Sequence, residues 1–154
     1  MVKTKKKISK KSKSVKKSRK PNGTPDGHLA IRVLAMPADT NPSGDIFGGW
    51  VLSQMDIAGG LMTTKITGGR TVTVSVDTMS FYYPVLVGDT LCCYVSVVKI
   101  GRTSITVKVE SWASRQYQDE RIMVTEGIFT YVAVDPARTP RPISRDLVRK
   151  HLQP

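Results

Sequence analysis

Two cysteines and two histidines are all that this chain of 154 residues holds, and the shortage excludes several chemistries. Cys92 and Cys93 are adjacent, so on an extended backbone their side chains point to opposite faces and a mutual disulfide would be badly strained. They form no CxxC, and His28 and His151 do not complete a zinc or iron constellation with them, so no metal and no cofactor is expected. Cysteines in the middle of a strand, with no activating histidine nearby, read as small core residues rather than nucleophiles. Long apolar runs are also missing. Nothing approaches the ~20 apolar residues of a membrane span, and the basic start lacks the roughly 7 to 15 apolar residues of a secretory signal, so a cytoplasmic protein is expected.

Acids are scarce at the start of the chain. Residues 1–27 hold ten Lys and Arg19 against Asp26 alone, a net +10, so the formal +12 of the whole leaves only +2 for everything that follows. The basic character belongs to a tail, and the remainder is nearly neutral, which argues against a folded nucleic-acid-binding surface. Lys, Ser and the turn formers from Pro21 to Gly27 cannot offset the entropy of ordering, so 1–27 is expected to be disordered. Such a tail attracts polyanions non-specifically. It has no interleaved aromatics for base stacking and no amphipathic period for membrane insertion.

What remains is enough for one domain. A strand-like run from Leu29 to Met36 is closed by Pro37. The turn-rich segment from Asp39 to Asp45 then precedes apolar positions at Ile46, Trp50, Ile57 and Leu61, with Phe47, Val51, Met55 and Met62 beside them. This predicts a mostly buried helix of about 18 to 20 residues ending at Gly68-Gly69, about 27 to 30 Å long and able to cross a sheet. Four β-rich runs follow, Arg70–Tyr82, Thr90–Lys99, Thr103–Ala113 and Ile122–Val134, joined by short turn-bearing connections that imply antiparallel neighbours. The fold class is therefore α+β, with one long helix lying across an antiparallel sheet of about five strands. The Arg- and Pro-rich end carries a short helix over 144–151.

Asp45 is singled out on physical grounds. It stands just ahead of a helix whose first turn contains Gly48 and Gly49. A helix start offers unpaired N–H groups and partial positive charge, and two glycines there let a carbonyl approach without meeting a Cβ. A carboxylate beside such a start has the parts needed for acyl transfer to water, although Asp before a helix is also a common cap. No Lys-Ser/Thr follows the glycines, so a nucleotide P-loop is not matched. Asp56, eleven positions on, returns to nearly the same helical face about 16 Å away, too far to pair with Asp45. Glu110, Glu126 and Asp77 reveal no convergent partner. The turn Lys99-Ile100-Gly101-Arg102-Thr103-Ser104 offers two cations and two hydroxyls suited to a phosphate, or simply a solvated hairpin.

The run from Ala35 to Trp50 with Ser53-Gln54-Met55-Asp56 is similar to the signature of the bacterial YciA-type acyl-CoA thioesterases. The likeness continues through Val85 to Asp89 with Cys92-Cys93-Tyr94, Gly101 to Ile105 with Val109 to Trp112, and Tyr131 to Asp135. It covers roughly 28–136, and the Lys-rich start falls outside it. The resemblance implies a hotdog fold, with 1–27 as tail, 28–136 as thioesterase domain and 137–154 as extension. It also implies homo-oligomers, with subunits pairing their sheets edge to edge, commonly as trimers of dimers. It makes Asp45 the general base or nucleophile, Gly48 and Gly49 the oxyanion donors, and Asn41 a residue that orients Asp45 or water, or caps the helix region. It brings Thr73 or Ser75 of a second subunit toward Asp45 and assigns Lys99, Arg102, Thr103 and Ser104 to coenzyme A. The implied activity is acyl-CoA hydrolysis to a fatty acid and coenzyme A. The alternative is a hotdog module that binds acyl-CoA without hydrolysing it.

Overall fold

The computed structural model describes residues 23–116 and 121–152, with the side chain of Leu152 left aside. Most of the expected tail, 1–22, lies outside the described residues. Five strands form one sheet: β1 (His28–Leu34), β2 (Thr71–Phe81), β3 (Thr90–Ile100), β4 (Ser104–Ser114) and β5 (Arg121–Ala133). Their order is β1-β3-β4-β5-β2, every pair antiparallel. Helix α1 (Gly48–Thr67) lies across the sheet and helix α2 (Arg145–Leu152) packs against α1. One long helix across five antiparallel strands is the arrangement expected from the sequence, and it is the hotdog fold.

Alternation along β4 explains the two faces of the sheet. Ile105, Val107, Val109 and Ala113 are fully buried in the core with Met55, Ala58 and Ile66 of α1, while Lys108, Glu110 and Trp112 point the other way. Burying Trp112, Tyr131 and Phe129 contributes roughly 2 to 3 kcal/mol each. Cys92 and Cys93 are both buried, and they pair in register with Trp112 and Ser111 respectively.

The two ends of α1 are built differently. At its C-terminus Gly68 takes φ +64°, the left-handed conformation that stops helices, and its N–H donates to Thr64 O. At its N-terminus Phe47 is the cap residue and supplies no side-chain hydrogen bond.

Contacts cross the expected boundaries of the extension and the tail. Ile143 and Val148 pack against the core, and Arg141 donates to Thr67 O and Val134 O at 3.2 Å each. Residues 23–27 lie against the outer face of the sheet, where the Asp26 N–H donates to Glu110 Oε2 at 3.2 Å. Among the described residues no helix is long and apolar enough to cross a membrane.

Candidate active site

Asp45 sits in a tight loop held by Asn41. The Asn41 Oδ1 accepts the N–H of Ser43 at 2.9 Å and of Asp45 at 3.2 Å, and the Asn41 N–H donates to Asp45 O at 2.8 Å. This is Asx-turn chemistry, so Asn41 fixes the backbone that carries Asp45 and does not cap α1. The chain then anchors twice. The Ile46 N–H donates to Val85 O at 3.1 Å, and the Phe47 N–H to Asp39 O at 2.8 Å. The buried Ile46 thus pins the loop while Asp45, Phe47, Gly48 and Gly49 remain exposed. Among the described residues the Asp45 carboxylate makes no hydrogen bond.

The glycines at the helix start are not packing devices. A Cβ on Gly48 would meet nothing closer than the Phe81 ring at 3.7 Å, and one on Gly49 would touch Phe47 at 3.4 Å. Trp50 and Val51 donate to Phe47 O, whereas among the described residues the N–H groups of Gly48 and Gly49 have no acceptor. Such a start can receive a carbonyl oxygen that is gaining negative charge. The exposed rings of Phe47 and Phe81 flank it.

A second carboxylate, read from the sequence as too distant to pair with Asp45, is held by two side-chain hydroxyls. Asp56 Oδ1 accepts the Thr73 hydroxyl at 2.7 Å and the Tyr131 hydroxyl at 3.0 Å, and Tyr131 also donates to Asp56 O at 2.9 Å. Thr73 and Tyr131 are cross-strand partners on β2 and β5. Burial first, then the neighbouring Asp56 charge, pushes the Tyr131 phenol well above its usual range, so it stays a donor. The sequence carried one signal for this site: Asp56 and Lys65 are the only charges in the 20 residues of α1. Of the two residues expected to reach a partner, Thr73 is bonded to Asp56 and Ser75 donates to Asp77 Oδ2 at 2.5 Å.

The turn expected to meet coenzyme A lies at the other end of the sheet from Asp45. Gly101 N–H donates to Ser104 O, Ala133 N–H to Thr103 O and Ile143 N–H to Arg102 O, each at 2.8 Å. Lys99 and Arg102 are exposed, and Thr103 and Ser104 half-buried. Thr90, beside the Asp45 end, is ten residue steps along β3 from Ile100, about 33 Å. Ile105, next to the turn, pairs with Tyr131, which pairs with Thr73. One chain therefore gathers the turn on the Asp56 side and leaves the open helix start at the far end.

The remaining acids found partners that sequence reasoning missed. Lys108 Nζ bridges Glu110 Oε1 at 2.8 Å and Glu126 Oε2 at 2.9 Å, and Trp112 Nε1 donates to Glu110 Oε2 at 3.1 Å. Asp89 forms a buried ion pair with Arg115. A cavity of about 220 Å³ is lined by Thr78, Ser80, Lys108, Glu126, Gly127 and Ile128, and neither candidate carboxylate lines it. Among the described residues no three His, Cys, Asp or Glu side chains gather as a metal site.

Residues 43–119 match the model of the thioesterase superfamily. The acyl-CoA thioester hydrolase YciA of Salmonella typhimurium is 51% identical over 125 residues, 79% of this chain and 94% of that protein. The Escherichia coli protein of the same name is 49% identical over 78% of this chain and 93% of its own length. Among solved structures, the hexameric broad-specificity acyl-coenzyme A thioesterase HI0827 superposes with a TM-score of 0.79 at 46% identity, covering 84% of this chain and 92% of that one. The hexameric thioesterase y2039 of Yersinia pestis gives 0.75 at 52% identity, covering 79% and 99%.

Proposed function

The chain belongs to the thioesterase superfamily, and from that premise we propose that it hydrolyses acyl-coenzyme A thioesters to a free acid and coenzyme A. The observation that carries the proposal is the open start of α1, where among the described residues the Gly48 and Gly49 N–H groups lack acceptors and no Cβ obstructs them. Water attacks the thioester carbonyl carbon while a carboxylate takes its proton. The two N–H groups stabilise the tetrahedral oxyanion, the C–S bond breaks, and the thiolate leaves as coenzyme A and is protonated.

In the first reading Asp45 is that carboxylate, as base or as direct nucleophile, with Asn41 holding its backbone. It is the acid nearest the glycines along the chain, three residues ahead of Gly48. Asp56 stands eight residues beyond Gly48, about 12 Å along the axis. A second reading, with Asp56 as the base, is favoured by its two hydroxyl donors, because a base must be held in place before it is useful. It requires a second copy. β2 is an edge strand, and Val74 and Val76 on it are exposed, as are Ile57 and Leu61 on α1; such a surface suits a second copy of the chain. In two copies paired antiparallel about Val76, residue 73 lies across from residue 79. The Thr73–Asp56 pair then approaches the partner subunit's Phe81, the ring beside the glycine start. The same pairing draws Arg102 and its turn toward that start, which makes one composite site from two chains. Two of the similar solved structures are hexameric, and we propose that such pairs assemble into a hexamer here.

Asp45→Asn and Asp56→Asn, assayed side by side by thiol release from short, medium and long acyl-CoAs, test both readings. A loss of about 10²- to 10⁴-fold in one variant alone names the base. Turnover by neither variant nor wild type, with coenzyme A still bound, would instead identify a binding module.

A further inference from the structure

Charge is divided unequally between the domain and its extension. Residues 28–135 hold eight cations and ten acids, a net −2, whereas residues 136–152 carry Arg138, Arg141, Arg145, Arg149 and Lys150 against Asp146, a net +4. The cationic extension is built into the fold at one particular place. Its backbone is tied to the β3–β4 turn through Ile143 N–H to Arg102 O, and its Arg141 guanidinium ties Thr67 O at the end of α1. Leu147 lies over Gly68 so closely that a Cβ there would come within 2.8 Å of its Cδ1. Arg145 begins α2 two residues after Ile143, and Arg149 follows one turn later on the same face; both are exposed. Arg141 is committed to carbonyls, and of the four exposed cations that remain in the extension Arg145 and Arg149 share one face of α2, two and six residues after the Ile143 that ties the extension to Arg102. The acids nearby do not cancel them. Asp135 accepts the Thr139 N–H at 2.8 Å in its own turn, and Asp146 is a single charge.

We infer that the C-terminal extension forms a second wall of the ligand site, with Arg145 and Arg149 of α2 binding phosphate groups of the coenzyme A portion that the β3–β4 turn meets from the other side. The inference rests on the acyl-CoA reading but adds to it residues outside the matched family region, 43–119. A nucleotide thioester presents a diphosphate and a sugar phosphate, several charges at one end of a long molecule. A guanidinium pair suits those oxygens through paired N–H donors. The neutral thioester end is directed along the sheet toward the Thr73–Tyr131 pair.

Titration calorimetry on the full chain tests this without turnover, and the Lys-rich start is present in every variant, so its contribution cancels. Coenzyme A, its form lacking the sugar phosphate, and pantetheine, which has no phosphate, are titrated into wild type, R145E/R149E and R145K/R149K. The charge reversal is expected to weaken coenzyme A at least tenfold, to weaken the form lacking the sugar phosphate less, and to leave pantetheine unchanged, while the lysine pair, which keeps the charge but not the paired donors, weakens coenzyme A less than the reversal does. If R145E/R149E does not fold, R145Q/R149Q takes its place. Coenzyme A affinity unchanged in a folded variant, or pantetheine weakened equally, overturns the inference. Hydrolysis absent with the phosphate-dependent loss intact would end the enzymatic reading and leave this one standing; wild type that binds no coenzyme A would end both.

Discussion

The Tyr131 hydroxyl donates to Asp56 Oδ1 at 3.0 Å and reaches that acid across a helix face cleared by Gly59. With Thr73 it fixes one carboxylate oxygen from two strands. If Asp56 is the base, Tyr131→Phe and Thr73→Val should each lower kcat by about tenfold, the value of one hydrogen bond of roughly 1.4 kcal/mol to a charged group, with little change in KM. Their double variant should lose less than the product of the two, because both act through the same oxygen. Full activity in both single variants would return the role to Asp45.

Gly59 and Gly48 should respond oppositely to Ala. A Cβ on Gly59 would lie 2.3 Å from the Tyr131 hydroxyl oxygen, so Gly59→Ala should destabilise by about 1 to 3 kcal/mol, although Ala favours the helix by up to about 1 kcal/mol. Gly48→Ala meets nothing inside 3.7 Å and should fold normally, yet lower kcat by crowding the open N–H groups. Denaturant midpoints and initial rates on the two proteins separate the effects.

The fold was legible in the sequence because its signals were local. A 3.6-residue period ending at Gly68 and β-branched runs broken by turn residues specify one helix and strands in order. The Asp45 loop was legible for the same reason, since Asn41, Gly44 and Gly48 act within a few residues of one another. Asp56 was not, because its partners Thr73 and Tyr131 are 17 and 75 positions away and only strand register brings them together. Arg115 likewise meets Asp89 across 26 positions. The extension looked separable because Arg and Pro dominate it, yet Ile143, Leu147 and Val148 are enough to dock it.

The Arg115–Asp89 pair should govern the helix start from a distance. Asp89 is buried and also accepts the Leu86 N–H at 2.8 Å, while Arg115 donates to Pro84 O at 3.1 Å. The loop so braced offers Val85 O to Ile46, the residue between Asp45 and the cap of α1. Arg115→Met should cost about 3 kcal/mol by stranding a buried carboxylate. Arg115→Met combined with Asp89→Asn should recover part of that loss. Thermal melts decide, and equal stability of Arg115→Met and wild type would contradict the bracing.

Stability should fall in acid through Glu110. Burial disfavours its charge, but the Lys108 ammonium, the Asp26 N–H and the Trp112 indole outweigh that and hold its carboxyl below the usual range. A carboxylate depressed in the folded state contributes stability that is complete above the unfolded value, about 4.3, and is lost as pH falls through the lower folded value. Denaturant midpoints between roughly pH 6 and pH 3 should therefore drop more steeply for wild type than for Glu110→Gln. The variant starts lower by about 1 to 3 kcal/mol because a buried network is broken. Parallel curves would show that Glu110 carries no linkage.

A composite site makes the most demanding prediction, because it is a statement about two chains. Val76 is 43% exposed at the middle of edge strand β2. Val76→Lys places a charge where a second β2 must pair, so it should yield monomers by light scattering and abolish turnover with every site residue intact. Gly48→Val blocks one helix start, and Asp56→Asn removes one base; each alone should be inactive. Co-expressed, they should recover activity that neither parent has, because a mixed pair contains one site built from the unaltered Asp56 of one chain and the unaltered Gly48 of the other. A site complete within one chain predicts instead that Asp56→Asn is active by itself, since its Asp45 and both glycines are intact. Recovery from two inactive parents would thus establish the cross-chain site, its absence in verified mixed oligomers would exclude that site, and an active Asp56→Asn parent would assign catalysis to Asp45 and the glycines of its own chain.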